Sequence, residues 1–226
     1  IKNLLPLGTR IRALPGLKDL ARGKAIYENL HDLDINDLLA REPAKPDETL
    51  LVEQVSGKTI LVTGSGGSIG SELCRQILRR APKALLLVES NEFALYTLQN
   101  ELSDSISFLE NEKPNNDKTS FLPIIIPLLG SVTDENRIND IIKTWEPEII
   151  YHAAAIKHVP IVEQNIVESI KTNVLGTLVM AKLAIKHQVN CFVLVSTDKA
   201  VNPTNTMGVS KRCCEMILQA LANEEK

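Results

Sequence analysis

Two clusters in this 226-residue chain hold residue types that could do chemistry. The first is a glycine run, Gly64-Ser65-Gly66-Gly67-Ser68-Ile69-Gly70, placed between the short apolar stretch Thr59 to Thr63 and an amphipathic one. Gly64, Gly67 and Gly70 stand in GxxGxxG spacing. One glycine turns the chain tightly, another lets backbone approach a pyrophosphate, and a third lets helix pack close to strand. The helix opening there presents unpaired N–H groups and partial positive charge to phosphate. No Lys-Ser or Lys-Thr closes the run, so a P-loop does not fit. Glu89 ends the next apolar stretch, about 20 residues beyond Gly70. A carboxylate there accepts hydrogen bonds from a ribose and repels a 2′-phosphate, which favours NAD over NADP. A ligand-free glycine turn and a plain strand-end carboxylate are the alternatives that the spacing leaves open.

The second cluster is Thr197-Asp198-Lys199, just past the apolar run Cys191 to Val195. A carboxylate and an amine adjacent at a strand end sit where an α/β sheet places its ligands. Together they could move protons, the lysine serving as a base once burial or a cationic neighbour lowers its pKa. A solvated loop pair is the alternative. Lys157 and His158 follow another apolar run and are weaker candidates. His152 reads as a packed strand-end histidine, and no HExxH-like spacing accompanies it, so no metal is expected.

The elements that must position these residues alternate. Apolar strands are expected at Thr59–Thr63, Ala84–Val88, around Leu122–Ile126, at Glu148–Tyr151 and at Cys191–Val195. Helices are expected at Ser71–Arg80, Phe93–Leu102, Glu135–Trp145, Ile166–His187 and Met207–Leu221, with a surface loop over Glu110–Ser120. Strands that are apolar throughout, alternating with helices, are the sequence form of a parallel sheet covered on both faces. The expected class is therefore α/β, a Rossmann-type doubly wound parallel sheet. Leu17 to Leu39 reads as a peripheral helical segment and Glu42 to Glu48 as a Pro-containing linker. The expected division is 1–50 for the N-terminal segment and linker, and 51–226 for the dinucleotide-binding domain.

The net charge of −3 gives no footprint for nucleic acid or anionic membrane. Cys74, Cys191, Cys213 and Cys214 form no CxxC pair, which makes a poor disulfide framework and a poor zinc site. A reduced, cytoplasmic compartment is the expectation. No apolar run of about 18 residues could span a bilayer.

Beyond the glycine run, three segments bear a specific resemblance. Tyr151-His152-Ala153-Ala154-Ala155-Ile156-Lys157-His158-Val159-Pro160 resembles the HAAA-x-KHVP stretch of CapD-type polysaccharide-biosynthesis dehydratases. Asn173-Val174-Leu175-Gly176-Thr177 is similar to their NxxGT helix. Ser196-Thr197-Asp198-Lys199-Ala200, followed by Asn202-Pro203, is similar to the STDKA-x-NP signature of UDP-N-acetylglucosamine 4,6-dehydratases. The chain from about Lys58 onward thus resembles extended short-chain dehydrogenases/reductases. Asp37-Leu38-Leu39-Ala40-Arg41-Glu42-Pro43 resembles a segment of the long, membrane-anchored members, implying a longer parent at the inner membrane.

The resemblance implies an NAD-dependent lyase for surface-glycan synthesis, acting on UDP-N-acetylglucosamine and assembled as a homo-oligomer. It places Gly64, Gly67, Ser68, Ile69, Gly70, Glu89, Ala153, Ala154, Lys157, Asn173 and Lys211 around the cofactor, and it implies that Asn173 bridges helix and strand backbones. Thr197, Asp198, Lys199, Met207 and Lys211 take the catalytic positions, with Asp198 as acid for the 6-hydroxyl and Lys199 as C5 base. The family's usual YxxxK pair is Met207-Gly208-Val209-Ser210-Lys211 here. A thioether has no proton to give or take, so Met207 cannot be the C4 base, and that role stays unassigned. Family members carry an Asp after the third-strand glycine; here Gly130 is followed by Ser131. A sugar 4-epimerase or reductase and a non-catalytic NAD-binding regulator are the competing readings. Much of the sugar-binding lobe lies outside this sequence, so the chain alone is not expected to turn over sugar efficiently.

Overall fold

Strands without polar alternation cannot leave a face in water, and the helices between them supply the covers. In the computed structural model, which describes residues 12–13, 31–32, 47–111 and 122–224, five such strands form one parallel sheet. They are β1 (Thr59–Thr63), β2 (Ala84–Glu89), β3 (Ile124–Leu129), β4 (Ile149–His152) and β5 (Cys191–Leu194). Their order is β3-β2-β1-β4-β5. From β1 the chain winds outward through β2 to β3, then returns to β4 on the opposite side of β1. That reversal is the topological switch of a doubly wound sheet.

The two faces bury alternate residues. On one, Leu61, Leu86, Val88 and Ile150 pack with Ile138, Ile141 and Ile142 of α4 (Glu135–Trp145) and Met180 and Leu183 of α7 (Gly176–Lys186). On the other, Ile60, Val62, Leu85 and Leu87 meet α1 (Glu48–Val55), α2 (Ser68–Leu78) and α3 (Glu92–Asn111) through Val55, Cys74, Ile77, Leu95 and Leu102. Each such side chain contributes about 1.5–3 kcal/mol by leaving water. β3 is an edge strand and contains Pro127, paired in register with Leu87. An edge has unpaired backbone groups, so the missing proline N–H costs little there.

The return path uses shorter pieces. α5 (Val159–Gln164) carries Pro160 in its first turn, where a missing N–H is tolerated, and α6 (Ile166–Ile170) follows. Lys171–Leu175 winds as a π-helical turn before α7. α8 (Thr206–Glu224) closes the unit, its first N–H held by Glu163 Oε1 at 2.7 Å.

Internal contacts divide the chain between Asp47 and Glu48, so α1 lies with the sheet. In the first unit the described residues are Arg12–Ala13 and His31–Asp32, which pair antiparallel. His31–Asp32 is thus extended where helix was expected, because strand pairing depends on a partner that local periodicity does not reveal. The rest of the Leu17–Leu39 segment lies outside the described residues, as does most of the expected loop Glu110–Ser120. Among the described residues, no helix is long and apolar enough to cross a membrane.

Candidate active site

At the carboxyl ends of the strands, on both sides of the switch, lies an open cleft of about 780 Å³. Its floor is the turn after β1. Gly64 adopts φ +63°, and a side chain there would meet Ala154 Cα at 2.6 Å. The turns after β1 and β4 therefore touch, which only glycine allows. Gly70 is equally constrained: a Cβ would overlap the Gly64 carbonyl oxygen and lie 2.9 Å from Ser65 Cα. Gly67 differs, since among the described residues a Cβ would meet only Gly64 O, at 3.2 Å. It faces the cleft. Two glycines close the turn, and the third leaves backbone open beside the first turn of α2.

Glu89, at the end of β2, braces this loop. Its Oε2 accepts the Gly66 N–H at 3.0 Å, while Oε1 accepts the Ser90 and Asn91 N–H groups at 2.8 and 3.1 Å. The spacing template skipped Gly66, yet a Cβ there would lie 2.6 Å from Ala94 Cβ. Lys157 reaches across from beyond β4, donating from Nζ to Ser68 Oγ at 2.6 Å. A cation therefore stands over the glycine loop, where a pyrophosphate needs one. Backbone N–H groups, an adjacent helix N-terminus and this ammonium fit a dinucleotide diphosphate.

Past β5, Thr197, Lys199, Met207 and Lys211 line the same cleft. Thr197 Oγ1 donates to Asp198 Oδ1 at 3.1 Å, and the Lys199 N–H donates back to Thr197 Oγ1 at 3.4 Å. Asp198 is exposed and sits behind Thr197 rather than on the cleft wall. The Thr197 hydroxyl, then the Lys199 charge, hold its carboxyl below the ordinary aspartate range. Gly208 fixes the turn from below, for a Cβ there would overlap the Lys199 carbonyl oxygen. Met207 is buried in the wall, with 6% exposure. Lys211 is 4% exposed and donates to Val195 O at 3.0 Å. Burial pushes its pKa down.

Asn173 lies off the cleft and works as a strut. Its Oδ1 accepts the Ile156 N–H at 2.8 Å; its Nδ2 donates to Ile156 O and Ser210 Oγ, each at 3.0 Å. This ties the turn after β4 to α8, one residue from Lys211. The π-helical turn that carries Asn173 also brings Thr172 to the cleft. His152 is fully buried between Thr63 Oγ1 (2.7 Å) and Thr177 Oγ1 (3.0 Å). Thr177 gives its proton to Asn173 O, so it accepts from His152 Nε2–H, leaving Nδ1 to accept from Thr63. Burial first, and the Lys211 charge second, push its pKa down to about 3. It is a neutral packing residue. Among the described residues no His/Cys/Asp/Glu group could hold a metal.

Gly66, Gly208 and Glu215 are not among the expected site residues, and of these only Gly66, inside the glycine run, carries a signal in the sequence. Glu215 accepts from Ser196 Oγ at 2.6 Å and pairs with Arg212 at 2.8 Å, adding a second tie between the strand end and α8.

CapD, a capsular polysaccharide biosynthesis protein of Staphylococcus aureus, is 39% identical over 96% of this chain and 34% of its own length. The chain thus spans about a third of that relative. A UDP-N-acetylglucosamine 4,6-dehydratase (inverting) of Campylobacter jejuni is 29% identical over 74% of this chain and 45% of its own. A UDP-glucose 4-epimerase structure from Thermotoga maritima, solved with UDP-glucose, superposes with a TM-score of 0.55. It is 25% identical, over 74% of this chain and 52% of that one. Residues 60–226 match the family described as polysaccharide biosynthesis protein, and the chain belongs to that family.

Proposed function

We propose that this chain is the NAD-holding part of a nucleotide-sugar 4,6-dehydratase acting on UDP-N-acetylglucosamine. The observation that carries the reading is the Thr197-Asp198-Lys199 turn opening onto the cleft of the glycine loop, with Met207 in place of a phenol. The glycine loop and Lys157 would hold the pyrophosphate, Glu89 the adenosine ribose and Lys211 the nicotinamide ribose. When bound, NAD supplies a reversible hydride acceptor, taking hydride from sugar C4 and returning it to C6.

The chain's own residues then account for every proton. Asp198 starts ionised, as its lowered pKa requires. Thr197 receives the C4 hydroxyl proton while passing its own to Asp198. The protonated Asp198 is then the acid for the departing 6-hydroxyl, its proton handed on through the Thr197 hydroxyl that lines the cleft, so the O4 proton leaves in the water. Lys199, on the cleft wall, takes the C5 proton and returns it to C5 after hydride reaches C6. The products balance as one water and a 4-keto-6-deoxy sugar.

The test incubates the chain, and separately the full gene product, with NAD and UDP-N-acetylglucosamine, followed by mass spectrometry. Loss of one water supports the dehydratase. An isomer of unchanged mass favours a 4-epimerase, the activity named for the Thermotoga structural neighbour. NAD binding without turnover by the full gene product favours a regulator. The assignment of Lys199 is refuted if Lys199→Ala dehydrates at the wild-type rate.

A further inference from the structure

Beyond Glu89 the cleft continues to the end of β3, where Gly130, Ser131 and Val132 line it. A dinucleotide with its pyrophosphate on the glycine loop and its ribose at Glu89 lays its purine on this side. Two polar side chains near it are engaged. Ser90 Oγ donates to Glu89 at 3.3 Å, and Asn91 Oδ1 accepts the Ala94 N–H at 3.0 Å at the start of α3. Ser131 is placed differently. Its Oγ accepts the Thr133 N–H at 3.3 Å and lies 2.8 Å from Thr133 Oγ1, either hydroxyl being able to donate.

We infer that the Ser131–Thr133 hydroxyl pair reads the purine 6-substituent in both hydrogen-bonding senses, so the site accepts a 6-oxopurine dinucleotide about as well as a 6-aminopurine one. The inference rests on the dinucleotide reading above. When Thr133 donates to Ser131, both Ser131 lone pairs are used and its O–H is left to donate to a 6-oxo group. When Ser131 donates to Thr133, one lone pair is left to accept from a 6-amino group. The exchange turns two hydroxyl protons and moves no heavy atom. A carboxylate at this position could only accept and would oppose a 6-oxo group.

Isothermal titration of the chain with NAD and with nicotinamide hypoxanthine dinucleotide tests this. The two dissociation constants are expected to agree within about threefold, at the low end of what the loss of one hydrogen bond produces. Ser131→Asp should create a preference for NAD of about tenfold or more. Ser131→Ala should weaken both ligands alike, by about two- to tenfold. A wild-type preference for NAD above about tenfold overturns the inference, as does weakening of only one ligand in Ser131→Ala. Binding of neither dinucleotide overturns the underlying dinucleotide reading, and this inference with it.

Discussion

Replacing Gly70 and Gly67 by alanine, one at a time, should separate the glycines that close the turn from the one that faces a ligand. At Gly70 the new methyl overlaps the Gly64 carbonyl oxygen and lies 2.8 Å from Gly64 C and 2.9 Å from Ser65 Cα. All three are backbone atoms, so relief requires opening the turn between β1 and α2. Overpacking of this kind costs about 1–3 kcal/mol, and contact with rigid backbone argues for the upper end. Alanine returns about 0.5–1 kcal/mol in helix propensity. The net loss is therefore about 2 kcal/mol, or about 4–8 °C in Tm for a unit of this size. Gly67 is the residue before α2, at φ −73° and ψ 167°, a conformation alanine adopts freely. Gly67→Ala should cost under about 1 kcal/mol as a poorer cap.

Binding should show a different ordering. The Gly67→Ala methyl stands in the space left for the pyrophosphate, so NAD affinity should fall at least about tenfold in a protein that remains folded. Urea denaturation gives the stabilities and isothermal titration the affinities. A Gly67→Ala protein that binds NAD like the wild type refutes the loop as the phosphate cradle. A Gly70→Ala protein of unchanged stability refutes the packing argument.

Three further outcomes follow from other contacts. Gly208→Ala places a methyl against the Lys199 carbonyl oxygen and 3.1 Å from Pro203 Cβ, displacing the turn that carries Lys199. Turnover by the full gene product should fall about 100-fold while NAD affinity holds; unchanged turnover rejects the positioning of that turn. Asn173→Ala leaves the Ile156 N–H and C=O without their buried partner, which should cost about 2–4 kcal/mol in urea denaturation, and a loss below about 1 kcal/mol contradicts the strut. His152 has a folded pKa of about 3 against about 6.5 unfolded, so the unfolded chain binds the extra proton between those values and stability falls with acid. From pH 7 to pH 5 this group should remove about 2 kcal/mol, and an identical pH slope in His152→Gln would exclude it as the source.

Much of the fold could be read locally because its signals are local. β1 and β2 are buried on both faces and stand out as unbroken apolar runs. The helix Glu135–Trp145 has the expected bounds: Asp134 caps its start by accepting the Arg137 N–H, and Glu146 ends it in the left-handed region. β3 begins later than expected and continues through Pro127, a residue that marks a break unless the strand is known to be an edge. The helices Glu48–Val55 and Val159–Gln164 are too short for periodicity to announce. The glycine loop and Glu89 were visible in the site because their spacing is fixed within one βαβ unit. The support beneath Lys199 was not. Gly208 and Glu215 depend on contacts between distant segments, and residue type alone carries no trace of them; the bridging role of Asn173 follows from the family resemblance and not from its residue type.

That hidden support bears on what Met207 means. In a YxxxK pair the lysine tunes a phenol one helical turn away, so losing the phenol would leave Lys211 without that task. Lys211 instead spends one donor on Val195 O, at the end of β5, and turns toward the cleft. Glu215, one turn further along α8, holds Ser196, and Gly208 seats the carbonyl of Lys199. Three residues of α8 therefore meet the segment 195–199 at Val195, Ser196 and Lys199. On this reading α8 no longer presents a proton-transfer group of its own. It fixes the register of the turn that does, and Met207 fills the wall between them as an apolar spacer. A phenol restored by Met207→Tyr would then add bulk to a packed wall without joining the proton path, so it should lower turnover; higher turnover would place proton transfer back on α8.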